Sequence, residues 1–89
     1  MALKWTKTAL CTVDEIAEFI AKDNLNRATR FVLELKEAVN KLQVHPGMGR
    51  AGRVPGTREL ILHENYIAIY RVRGDAVEIL RLHHVARKL

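Results

Sequence analysis

The sequence runs to 89 residues, 48% of them apolar and 28% charged. That is one small folded domain, and it excludes a multidomain enzyme, a disordered tail and a chain built to cross a bilayer. Fifteen Lys and Arg against ten Asp and Glu give a net charge of +5, which favours a polyanionic partner, either nucleic acid or an acidic protein segment.

The opening MALKWTKTAL lacks the basic, apolar, small-residue order of a secretory signal, and no apolar run nears the roughly 20 residues of a membrane span, so a cytoplasmic protein with no membrane partner is expected. Leu3, Lys4 and Trp5 alternate apolar with polar ahead of Thr6 and Thr8, both able to cap a helix. They predict a short strand feeding a helix from about residue 7. Ala9, Val13, Ile16, Ala17 and Ile20 recur at spacings of three and four and make one apolar stripe, opposite Asp14, Glu15, Glu18 and Lys22. Cys11, the single cysteine, rules out an internal disulfide and a cysteine-based zinc site and reads as a buried core filler. Asp23, Asn24 and Asn26 then offer turn and cap chemistry, with about three residues separating the helices. Ala28, Phe31, Val32, Leu35, Ala38, Val39 and Leu42 carry the same period for more than four further turns. So short a connection folds the two helices into an antiparallel hairpin whose apolar stripes need a partner surface.

Pro46, Gly47 and Gly49 end the second helix, with His45 placed to cap it, and a loop is expected as far as Gly56. Three β-like runs follow, Arg58 to His63, Tyr66 to Arg73 and Ala76 to His84, broken at Glu64-Asn65 and Gly74-Asp75. Breaks this short make neighbouring strands antiparallel. The expected fold is α+β in the order β-α-α-β-β-β, a single domain over residues 1–89, with the hairpin on one face of a small, mainly antiparallel, curved sheet.

The positive charge lies in the second half: residues 1–44 hold seven basic and six acidic side chains, residues 45–89 eight and four. Between His45 and Arg58, Arg50, Arg53 and Arg58 have no carboxylate among them, which marks a candidate binding loop. Strand parity puts Ile67, Ile69, Arg71 and Arg73 on one face, opposite Tyr66, Ala68, Tyr70 and Val72. In the last strand it groups Val77, Ile79, Arg81 and His83. Arg58, Arg71, Arg81 and His83 are thereby expected to converge. His83 and His84 point to opposite faces, which is poor chelate geometry, and neither a metal nor a cofactor is expected.

The segments HPGMGR (45–50), GTREL (56–60), YIAIYRV (66–72) and VEILRLHHVAR (77–87), behind an amphipathic helix pair, resemble the RelE/ParE superfamily of bacterial toxins from type II toxin–antitoxin modules. The likeness covers nearly the whole chain. It implies a toxin held inactive by a cognate antitoxin in a hetero-oligomer, and a target that is either DNA gyrase, as for ParE-like proteins, or the ribosome with mRNA, as for RelE-like endonucleases. In the nuclease reading, Arg58, Arg81 and His83 are the catalytic candidates, since internal attack by a 2′-OH needs a base, an acid and cations around the phosphorane. That set is incomplete against the RelE-like pattern: Ile67 and Leu60 stand where it carries basic residues, and Val85 lies near a third such place, with Arg87 two residues on. The loop and the YIAIYRV strand look closer to the ParE-like branch, a gyrase poison without enzymatic activity. A third reading is a degenerate toxin kept only as its antitoxin's partner. Target contacts are expected from Arg50, Arg53, Arg58 and Arg71, and from Arg81, His83, His84 and Arg87. The antitoxin is expected on the hairpin seam at Val13, Ile16, Ile20, Phe31 and Leu35, as a helix in a groove.

Overall fold

The computed structural model describes residues 1–63 and 66–84. They form strand β1 (Ala2–Trp5), helices α1 (Lys7–Asp23) and α2 (Leu25–Asn40), a 3₁₀ turn (Lys41–Gln43), and strands β2 (Arg50–Ala51), β3 (Arg58–His63), β4 (Tyr66–Arg73) and β5 (Ala76–His84). The expected break at Glu64-Asn65 and the candidate residues Val85 and Arg87 lie outside the described residues. Two helices on a mixed five-stranded sheet confirm the α+β reading, and the sheet order is β1-β5-β4-β3-β2. β1 pairs parallel to β5 while the other neighbours are antiparallel. β2 was not expected: it is a two-residue edge strand, too short to leave a period in the sequence.

Local chemistry sets the helix ends. Thr6 Oγ1 accepts from the Ala9 amide at 3.1 Å and caps α1. A single residue, Asn24, replaces the expected three-residue connection. Its backbone N–H closes α1 onto the Ile20 carbonyl at 2.9 Å, and its Oδ1 caps α2 by accepting from the Arg27 amide at 3.0 Å. The hairpin between β4 and β5 turns on Gly74 at φ 62°, the positive angle that a two-residue turn between twisted strands requires. His45 joins the end of the helix through its backbone N–H, which donates to the Lys41 carbonyl at 2.9 Å.

The core lies between the hairpin and one face of the sheet, where Leu35, Val39 and Leu42 meet Leu60, Ala68, Tyr70, Val77, Ile79 and Leu82. Each Leu, Ile and Val side chain among them contributes about 1.5–3 kcal/mol by leaving water. Phe31 tilts against Tyr66 at 5.0 Å between centroids. Cys11 departs from its expected place and is exposed, because two residues beyond the buried Ala9 the helix has turned about 200°.

A bulge in β5 overturns part of the expected strand parity. Tyr70 pairs with Ile79 but Ile69 pairs with Arg81, so Leu80 is the extra residue. Val77 and Ile79 therefore face the core together with Leu82, whereas Arg81 and His83 face away from it. β1 ends at the Trp5–Ile79 pair, and threonines of the helix end take over along β5. Thr6 Oγ1 donates towards the carbonyls of Ile79 at 2.8 Å and Leu80 at 3.0 Å. Thr12 Oγ1 accepts from the Leu82 amide at 2.9 Å while donating to Ala9 O at 2.8 Å.

Candidate functional site

Paired residues in adjacent strands project to the same side of a sheet, so the register assigns side chains to faces. On the face turned away from the helices one row reads Arg50, Glu59, Ile69, Arg81. A second reads Lys4, Glu78, Arg71, and a third Ile61, Ile67, His83. Arg71, Arg81 and His83 come together as expected. Arg58 does not: it pairs with Tyr70 on the helix side, and its Nη1 donates to the carbonyls of Gly49 at 2.8 Å and Gly47 at 3.4 Å.

That contact belongs to a brace which explains the segment at 45–50. The buried Tyr70 hydroxyl accepts from the Gly49 amide at 2.9 Å and donates to the Pro46 carbonyl at 2.7 Å. Any Cβ at Gly49 would lie 2.7 Å from that hydroxyl and 2.8 Å from the Glu59 carbonyl. The glycine is needed for close approach, and the loop is a fixed shelf that launches β2 and Arg50. Arg53 sits beyond it, exposed, in a tight loop where Thr57 Oγ1 donates to the Val54 carbonyl at 2.6 Å.

Both carboxylates of the outward face are engaged. Arg50 Nε donates to Glu59 Oε1 at 3.0 Å, and Arg71 Nε to Glu78 Oε1 at 2.6 Å. The Arg71 hydrogen bond holds the Glu78 carboxyl below its ordinary value of 4.5, helped by the charges of Arg71, Arg73 and Lys4 and opposed by desolvation. Arg81 and Arg73 are exposed and make no ion pair among the described residues. His84 lies on the opposite face from His83, edge-on to Tyr66 at 4.8 Å. No group of three metal-ligating side chains occurs among the described residues.

The residues expected to meet an antitoxin sit deeper than their periodicity suggests. Ile20, Phe31 and Leu35 belong to the core, and Val13 and Ile16 pack against it half-buried. Their edges still line surface grooves. One of about 350 Å³ runs between the helices past Trp5, Leu10, Val13, Val32 and Leu35. Another, of about 240 Å³, lies at the end of α1 among Ile16, Phe19, Tyr66 and His84. Sequence reasoning missed Leu10 and Phe19, which are 52% and 58% exposed. Their signal was two large apolar residues on the opposite flanks of the helical stripe.

A charged, open sheet face suits a macromolecule better than a small ligand, which takes a concave and mainly apolar pocket. The fold is that of a small basic α+β domain, and its kinship gives its class. The profile described as "ParE toxin of type II toxin-antitoxin system, parDE" matches residues 3–89. The chain belongs to that toxin family, and a cognate antitoxin is its implied partner. It is 43% identical over 83 residues to Y4kP of Sinorhizobium fredii, named as a candidate toxin, covering 92% of this chain and 85% of the relative. It is 34% identical to the toxin RelE2 of Caulobacter vibrioides, over 93% of each chain. Among solved structures it matches a chromosomal ParDE toxin–antitoxin system of P. aeruginosa with a TM-score of 0.85 and 35% identity over 96% of both chains. A YoeB/ParE toxin from Agrobacterium tumefaciens, 19% identical with a TM-score of 0.64 over 94% of this chain and 98% of that one, shares the fold. No helix among the described residues is long and apolar enough to cross a membrane.

Proposed function

We propose that this toxin arrests growth as a ParE-like poison of DNA gyrase, acting in the cytoplasm and without enzymatic chemistry of its own. The observation that carries this reading is the separation of the three nuclease candidates. Arg58 is turned to the helix side and bound to loop carbonyls, while Arg81 and His83 project from the other face. General acid–base cleavage of RNA needs its groups within hydrogen-bond reach of one phosphate, and a sheet stands between these. Two further positions at which the nuclease pattern is basic hold Leu60 and Ile67, both buried. The antitoxin is assigned to the apolar groove beside Leu10, Val13 and Val32, on the side of the molecule away from Arg81.

The test is supercoiling of relaxed plasmid by gyrase with purified toxin in excess. Loss of supercoiling with accumulation of cleaved DNA is the expected result. Unaffected supercoiling alongside codon-positioned cleavage of mRNA on ribosomes would replace this reading with the RelE-like one, to which the kinship with RelE2 gives a footing.

A further inference from the structure

We infer that the sheet face turned away from the helices is a contact surface for the phosphates of duplex DNA, with Arg81, Arg50 and Arg71 as its principal donors. The inference rests on the gyrase reading, since it names the polyanion this face would meet while the toxin engages an enzyme that works on duplex. Five cations, Lys4, Arg50, Arg71, Arg73 and Arg81, share this face with two carboxylates, Glu59 and Glu78, among the described residues. Both acids are satisfied through an arginine Nε. A guanidinium carries five donors, so each of these arginines keeps its terminal nitrogens for a second, stronger acceptor such as a phosphate oxygen. The pairs orient the guanidinium groups; the paired acids also reduce the charge left over for a non-specific acidic partner.

Spacing fits the same ligand. Arg50 and Arg81 stand three strands apart, about 14 Å at the usual inter-strand distance. Duplex DNA presents one negative charge per about 1.7 Å of axis with both strands counted, or one per about 3.4 Å of each strand, so a span of that size runs alongside about four phosphates of one strand. The choice of duplex over single-stranded RNA comes from what this face lacks. Single-stranded RNA is held by stacking bases on aromatic rings. Trp5, Tyr66 and Tyr70 are all on the helix side of the sheet, and Phe19 and Phe31 are on the helices. No Phe, Tyr or Trp projects from the cationic face among the described residues; its one ring is that of the half-buried His83 at the end of β5, too little for a run of stacked bases, which suits contacts made mainly to backbone.

The experiment titrates a labelled 20-base-pair duplex and a single-stranded RNA of equal length with the full-length toxin across a series of salt concentrations. With about four phosphates neutralised, log K for the duplex should fall against log salt with a slope of about −3.6. Arg81→Ala should weaken binding and make that slope shallower by about 0.9, whereas Arg30→Ala, an equal charge change on α2, should leave the slope unchanged. Equal effects of the two variants, or tighter binding of the RNA than of the duplex, would overturn the assignment. The two proposals fail separately. Gyrase poisoning that survives Arg81→Ala with no duplex binding by the parent protein removes this surface and keeps the target. Arg81-dependent duplex binding by a protein that leaves gyrase untouched removes the target and keeps the surface.

Discussion

Replacing Tyr70 by Phe tests whether the loop at 45–50 is held by one phenolic oxygen. The ring would stay in the core, where Tyr70 is fully buried, and only the hydroxyl would go. Two hydrogen bonds go with it, from the buried Gly49 amide at 2.9 Å and to the half-buried Pro46 carbonyl at 2.7 Å. An amide stranded in the interior costs about 1–3 kcal/mol, and a carbonyl that water can partly reach about 0.5–1.5 kcal/mol. A sum near 3 kcal/mol lowers Tm by roughly 12–24 °C, at about 4–8 °C per kcal/mol for a domain of this size. Thermal denaturation of the purified toxin followed by circular dichroism measures this. Tyr66→Phe serves as the control, because it keeps the ring against Phe31 and removes no hydrogen bond between described residues. Amide exchange at Gly49 should accelerate in the Tyr70 variant and not in the control. A Tm within about 4 °C of the parent, under 1 kcal/mol on the same scale, would refute the brace.

Four further outcomes follow from the same geometry. Thr12→Val strands the Leu82 amide that Thr12 Oγ1 serves at 2.9 Å and should cost about 1–3 kcal/mol, read by urea denaturation; a neutral effect would mean that water substitutes for the hydroxyl. Leu35→Ala, at a position 2% exposed, should cost about 2–5 kcal/mol by the same measurement. Leu10→Glu places a charge in the apolar groove without touching the core and should weaken antitoxin binding at least tenfold in calorimetry while leaving Tm nearly unchanged; unchanged affinity would move the antitoxin elsewhere. Because the Glu78 carboxyl is held below its ordinary value by Arg71, the stabilisation it supplies is complete above the unfolded-state value and is lost as pH falls through the folded one. The stability gap between the parent and Glu78→Gln should therefore be flat above about pH 5 and close in more acidic solution, and a gap that widened with acid would contradict the pair.

Periodicity made the helices and the three long strands legible, since a stripe such as Phe31, Leu35 and Leu42 or the alternation of Tyr66, Ala68 and Tyr70 admits one geometry each. What it could not carry were features whose determinants are single residues. The bulge at Leu80 is one: a period of two counts residues, and an inserted residue reverses every later assignment without a signature of its own. Arg81 and Leu82 exchanged faces for that reason. Arg58 was misplaced by a different limit, because parity within β3 says which residues share a face but not which face meets the core. Asn24 was read as one of several turn residues, whereas its side chain and amide together close both helices.

The threonines of α1 connect these lessons to the site. Had β5 continued in strict alternation, Val77, Ile79, Arg81 and His83 would have shared one face, and neither placement is tolerable: turned outward it exposes the core aliphatics, turned inward it buries a guanidinium. The bulge resolves the conflict by letting the first half of β5 pack inward and the second half turn its cations outward, and the backbone groups it frees find Thr6 and Thr12. The helix side of the sheet then packs the core, while the outward side carries the cations. A scaffold whose core occupies one face leaves the other available for the proposed target contacts, in keeping with one fold carrying different sites.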